Sequence, residues 1–179
     1  MWLPVAACIF GGAWSTATDS VRVAAKVIHW WSGLPSVWRW GAVVAEMGAL
    51  WWLSSREIRG VSASLVRSFL HNSAHVVAYG VLATLALLAL RGRAPLRRQD
   101  ALLAVAIAGS YGVVDELHQS TVEGRVCSIA DIAADLAGAM LATGLVLGLV
   151  GERMMVRSWV LLAGCVALLA VSAATFLPW

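Results

Sequence analysis

Apolar residues run along this chain in blocks long enough to cross a bilayer, and the polar residues inside those blocks recur at helical spacing. A hydrocarbon core about 30 Å thick requires about 20 mostly apolar residues in a helix. Residues 74 to 90, 129 to 150 and 158 to 177 predict three such spans, the last without charge and ended by Pro178. Residues 37 to 54 predict another despite Arg39 and Glu46. Residues 101 to 114 are too short alone, but the pattern continues through Asp115 and Glu116 towards Gln119, so this helix is expected to carry acids inside the membrane. The opening, residues 1 to 17, is apolar but broken by Pro4, Gly11 and Gly12. With no basic stretch ahead of it, it reads as a marginal span or interfacial segment rather than a signal peptide. Residues 19 to 36 carry Arg22, Lys26, His29, Trp30 and Trp31, which suits a helix lying on the membrane surface. The expected fold is all-α: a polytopic bundle with a core over residues 37–150, an N-terminal apolar or interfacial segment over 1–36, and a fifth, C-terminal transmembrane helix within 151–179. No internal repeat or low-complexity tract is visible.

Composition removes the soluble alternative. The chain has 179 residues, of which 60% are hydrophobic and 13% charged, with a mean hydropathy of +0.80. Soluble domains carry charge at about 25% because their surfaces must stay solvated. Ten Trp against three Phe and two Tyr fit a lipid solvent, since indole favours the membrane interface. The net charge of +3 rests almost wholly on Arg, and in a membrane protein such an excess sets orientation; no nucleic-acid partner is implied. Cys8, Cys127 and Cys165 form an odd set with no CxxC spacing, so neither cysteine chemistry nor a cysteine metal site is expected.

Arg and Lys resist translocation, so their distribution predicts topology. With the chain before residue 37 in the cytoplasm, nine basic residues fall inside and four, Arg56, Arg59, Arg67 and Arg125, outside. The run from Arg91 to Arg98 is the strongest anchor; residues 55 to 73, with three Arg, run against it. On this topology His71 to His75 and Asp115 to Arg125 face outward.

A charged side chain in lipid costs about 2.5–3.5 kcal/mol on insertion scales, so those retained face a bundle interior and have partners. Residues four apart share a helix face. His71, His75 and Tyr79 form one stripe, Asp115 and Gln119 a second, and Asp131 and Asp135, followed by Gly138, a third, with Ala134 and Ala137 offering a small surface for close helix approach. Three polar stripes at one depth predict a cluster made of His75, Tyr79, Asp115, Gln119, Arg125, Asp131 and Asp135. Asp115 and Glu116 point to different faces, so Asp115 is expected inside and Glu116 among the headgroups. Arg125 suits either a grip on a phosphate or carboxylate or a salt bridge to Asp115 or Asp131. Two carboxylates one turn apart, as at Asp131 and Asp135, repel unless one is protonated or a cation intervenes, while pairing to Arg125 or His75 is the structural alternative. His75 suits a metal ligand, a proton carrier or an interhelical hydrogen bond. Glu46, alone in an apolar stretch, suits structure and proton transfer equally, and the pairs Trp30/Trp31 and Trp51/Trp52 read as interface anchors.

The run His75-Val76-Val77-Ala78-Tyr79, then Asp115-Glu116-Leu117-His118-Gln119, then Gly124-Arg125 with Asp131 to Gly138, resembles the VanZ-like family of small bacterial membrane proteins over residues 37 to 150. Ser54-Ser55 after the Trp-rich first core helix also fits. The resemblance implies a compact helical bundle in the bacterial cytoplasmic membrane, and its founding member is associated with lowered susceptibility to teicoplanin, a lipid-bearing glycopeptide. Members often carry a basic pair where this chain has His71-Asn72, an acid where it has Ala78, and Asn where it has Asp135. The pocket here is therefore more acidic than the family pattern, which weighs against an anionic ligand and towards a cation or proton.

Three functions fit these residues. The first is an outward-facing polar pocket, without cofactor, for a lipid-linked or lipid-bearing envelope component, partnered by membrane lipids. The second is a metal-assisted or acid–base enzyme on such a lipid, and the third a small proton-coupled carrier with a path from Asp135 towards Glu46. The acid-phosphatase-type lipid phosphatase motifs and HExxH are missing from the sequence. Oligomeric state leaves no mark on it.

Overall fold

A computed structural model describes residues 22–23, 26–56, 65–125, 127–150, 160, 164–169 and 171–172, and its regular elements are all α-helical. Four helices make the body: α1 (Ser36–Ser54), α2 (Leu65–Arg91), α3 (Arg98–Gln119) and α4 (Ile129–Val150). Residues 26–33 add a short helix before α1. The opening segment 1–17, residues 57–64 with Arg59, and most of the expected span 158–177 lie outside the described residues; within that span, residues 164–169 and 171–172 are helical.

Three stretches, Phe69–Arg91, Arg98–Gln119 and Ile129–Gly148, are long and apolar enough to cross a membrane. The chain is a membrane protein with an all-helical bundle. The 19 residues of α1 span about 28 Å at 1.5 Å per residue, but α1 is not among the three. Its apolar content is diluted by Arg39, Glu46 and four tryptophans. Those tryptophans, exposed at 38, 40, 51 and 52, sit in pairs near the two ends, where interfacial belts belong.

The helices touch through small side chains. Lipid tails are as apolar as leucine, so association in a bilayer depends on close packing rather than on escape from water. Ala83, Ala86, Ala101, Ala104, Ala108 and Ala139 are wholly buried, with Leu82 and Leu87 filling the space between helices. The most extensive contact is α2 against α4. It is closest at Gly138, where any Cβ would overlap the backbone of Val76; one turn along, a Cβ on Gly80 would stand 3.2 Å from the Gly138 carbonyl oxygen and 3.3 Å from Ala142 Cβ. Val160 packs against α4 at Gly144.

Two tight connections set which ends meet. Gly92, at φ +55°, turns the chain from α2 towards α3 with the Arg39 guanidinium packed against it, and Asp100 in the first turn of α3 accepts the Arg97 N–H at 3.1 Å. Arg39, Arg91, Arg93, Arg97 and Arg98 thus gather at one end of the bundle. At the other end Gly124, at φ +80°, redirects the chain so that Arg125 turns back over the helix ends. The polar stripes of the sequence meet beneath it.

Candidate functional site

The stripe on α2 forms a ladder of rings. His71 meets His75 edge-on at 5.1 Å between centroids, His75 lies parallel to Tyr79 at 6.2 Å, and Tyr79 continues to Tyr111 of α3 at 6.4 Å. Tyr111 closes the ladder on α1 by donating its hydroxyl to the Met47 carbonyl at 2.5 Å. From α4, the Asp135 carboxylate meets His75 Nδ1 at 2.9 Å. Asp135 is 1% exposed and reaches this position because α3 presents Gly112 opposite it. A Cβ there would stand 2.8 Å from Asp135 Oδ2 and 3.3 Å from Tyr79 Cε1.

At the end of α3, Asp115 and Gln119 share a face as their spacing predicts, and the Gln119 amide donates to Asp115 Oδ2 at 3.0 Å. Arg125 donates through Nη1 to Gln119 Oε1 at 3.2 Å and, over a long 3.5 Å, through Nη2 to the Leu53 carbonyl. The expected salt bridge from Arg125 to Asp115 or Asp131 is not formed among the described residues. Gln119 stands between cation and acid, taking a hydrogen bond from one and giving one to the other. Of the pairings expected for the α4 acids, the one between Asp135 and His75 is present.

Glu116 departs from expectation. Asp115 is 3% exposed and Glu116 0%, so neither carboxylate faces the headgroups. Helix period puts the two on different faces, but α3 is flanked on both by neighbours. Glu116 Oε2 accepts the Ser128 N–H at 2.8 Å, and Ser128 Oγ in turn accepts the Asp131 N–H at 3.3 Å. The acid thereby anchors the start of α4, where four amide protons lack helical partners. No pattern internal to α3 signals this; Ser128 three residues before Asp131 was the available sign of a capped helix start.

Five of the predicted cluster residues, His75, Tyr79, Asp115, Gln119 and Arg125, line one cavity of about 270 Å³ together with His71, Ser54 and the apolar Leu50, Leu53, Ala74 and Ala78. Asp135 touches this group through His75. Asp131, on the adjoining turn of α4, comes close to both histidines: a ring nitrogen of His71, one of His75 and a carboxylate oxygen of Asp131 lie within 4.8 Å of one another. His71 was legible in its stripe but left out of the predicted cluster. Also unforeseen is His118, which stacks on Trp51 at 3.7 Å and meets Ser55 Oγ at 2.9 Å through Nε2, tying α1 to α3 beside the cavity.

The site is short of partners. Tyr79 Oη, Asp115 Oδ1, Glu116 Oε1, Asp131 Oδ1, Asp135 Oδ2 and Arg125 Nε are buried with no protein hydrogen-bond partner. Each such group costs about 1–3 kcal/mol if left unsatisfied, so the arrangement calls for water, a cation or a polar guest. Asp115, Glu116, Asp131 and Asp135 are all buried in this region, beside one guanidinium, Arg125, and the two histidines, a composition that suits a cation or a proton better than an anion as the deepest guest.

No curated protein and no solved structure matches the chain. A family model does, over residues 10–151. That match includes every residue of the cluster and reaches back beyond residue 37, where the resemblance read from the sequence began. With its bundle of apolar helices and its polar stripes in order along α2, α3 and α4, the chain belongs to the VanZ/LLP1 family.

Proposed function

We propose that this protein holds, in an outward-facing pocket at the membrane surface, the polar part of a lipid-linked or lipid-bearing component of the bacterial cell envelope, and that this binding is linked to resistance to lipid-bearing glycopeptides of the teicoplanin type. The observation that carries this reading is the cavity's mixed lining, in which the apolar Leu50, Leu53, Ala74 and Ala78 stand with the polar Tyr79, Asp115, Gln119 and Arg125. Small-molecule sites are built in this way, largely apolar with a few fixed polar groups. Unpartnered atoms on Tyr79, Asp115 and Arg125 supply hydrogen-bonding capacity that the protein itself leaves unused.

The test is mass spectrometry of lipids retained through purification in a mild detergent, comparing the wild type with Asp115→Asn and Tyr79→Phe. One envelope lipid class should be enriched over bulk membrane lipid. Loss of a hydrogen bond to a charged group, about 1.5–3 kcal/mol, should lower its retention about tenfold or more in Asp115→Asn, while thermal stability in detergent stays near that of the wild type. Retained lipid that merely mirrors the bulk membrane, or that falls only in variants that also lose stability, would remove the pocket reading.

A further inference from the structure

The two histidines and Asp131 carry chemistry that a lipid pocket alone does not need. His71 and His75 are one helical turn apart on α2, and across the closest helix contact in the bundle stands Asp131 on α4. One potential ligand atom from each lies within 4.8 Å of the others, the one such group of histidine, cysteine or acid side chains among the described residues. Asp131 is 8% exposed, and its Oδ1 is buried without a protein partner. His75 has its Nδ1 against the Asp135 carboxylate at 2.9 Å. Metal-bound histidines are commonly held in this way, with the second nitrogen on a carboxylate that fixes tautomer and ring orientation. Nε2 is then the nitrogen left to coordinate.

We propose that His71, His75 and Asp131 bind one divalent metal ion, zinc by the character of the donors, with Asp135 as the positioning residue behind His75. Two imidazoles and a carboxylate make the donor set of three-ligand zinc sites, which keep a fourth tetrahedral position for water or substrate. Bonds of about 2.1 Å place tetrahedral ligand atoms about 3.4 Å apart, so side chains whose ligand atoms now lie within 4.8 Å of one another would draw together around the ion. The ion would offset part of the charge of Asp131, Asp135 and Glu116. Both histidines line the cavity, so the fourth position adjoins its guest. Only this last point rests on the pocket reading; binding of the metal does not.

Protein purified without a histidine tag, stripped with EDTA and titrated with zinc chloride in a calorimeter should take up one equivalent. X-ray absorption of the loaded protein should show imidazole scattering and no sulfur, which sets Cys127 aside. His71→Ala removes a ligand at the mouth of the site and should abolish the stoichiometric step, as should Asp131→Asn. Asp135→Asn leaves all three ligands and should weaken binding about 10–100-fold, the usual effect of losing the carboxylate behind a ligating histidine. No stoichiometric uptake by the wild type, or equal uptake by folded His71→Ala, overturns the metal site. Lipid retention measured in EDTA keeps the two readings apart: zinc uptake without lipid enrichment upholds the metal and ends the pocket reading, and lipid enrichment without zinc uptake does the reverse.

Discussion

Asp135 reaches His75 only because α3 has no side chain at Gly112, and this makes the pair a sensitive point in the bundle. Two magnitudes bracket its worth. Interhelical hydrogen bonds in membrane proteins average about 0.6 kcal/mol, with a maximum near 1.7, whereas stranding one member of a buried ion pair costs about 3–5 kcal/mol. Asp135→Asn keeps a hydrogen-bonding group against the imidazole and should cost about 1 kcal/mol. His75→Ala leaves a carboxylate of 1% exposure alone and should cost about 3 kcal/mol or more. The double variant His75→Ala/Asp135→Asn should then be less damaged than His75→Ala alone, a coupling that unfolding in detergent would measure. Equal losses in the two single variants, summing in the double, would show that the pair is not coupled at all. At this scale the sequence was informative wherever one helix decided the outcome: the spacings 75/79, 115/119 and 131/135 place their residues by period alone. Glu116 was misread because its burial depends on Ser128 and the start of α4, and the relay from Arg125 through Gln119 depends on a turn at Gly124 that no periodicity describes.

Among the elements, the crossing of α2 and α4 is the tightest joint. Gly138 leaves no room for a Cβ against Val76, and because the obstructing atoms are backbone, relief requires moving a whole helix. Gly138→Val should cost more than the about 1–3 kcal/mol typical of overpacking and should separate His75 from Asp135 as the helices part. Gly48 on α1 has nothing within 4 Å of its Cβ position, so Gly48→Ala should leave stability unchanged or raised by up to about 1 kcal/mol. Thermal unfolding in detergent reads both, and a Gly138→Val protein as stable as the wild type would mean that the helices do not meet there. The spans that became α2 and α4 were legible because their apolar runs match bilayer thickness, α3 because its pattern continues through Asp115 and Glu116 beyond an apolar run too short alone, and Ala134, Ala137 and Gly138 marked the small face correctly. What apolar runs could not give was the pairing of helices, which is set by where small residues on two separate segments come opposite each other, as Gly80 does with Gly138 and Ala142.

For the whole molecule, the fold sorts charge between its two ends. Arg39 lies against Gly92 and Arg93 donates to the Gly33 carbonyl at 3.4 Å, so Arg39 and the helix of residues 26–33 meet the basic α2–α3 connection. Arg125 and Arg56, the latter over the Trp52 ring at 3.8 Å, belong to the opposite end, where the cavity opens. By the bias of Arg and Lys towards the cytoplasm, we propose that the basic end faces inward and the cavity outward. A single cysteine in the α2–α3 connection tests this with a membrane-impermeant thiol reagent. Gly92 is the wrong place for it, since its φ of +55° and the Arg39 Nη1 atom 2.7 Å from any Cβ would strain the turn. Ala94 is exposed and uncharged, so Ala94→Cys leaves both the turn and the charge count intact. Cys127 and Cys165 are exposed and must first be replaced, together with Cys8. In that background Ala94→Cys should label only after the membrane is opened, and Glu123→Cys, exposed in the opposite connection, should label in intact cells. The reverse pattern would place the cavity in the cytoplasm, where a lipid-bearing molecule arriving from outside the cell could not reach it without first crossing the bilayer.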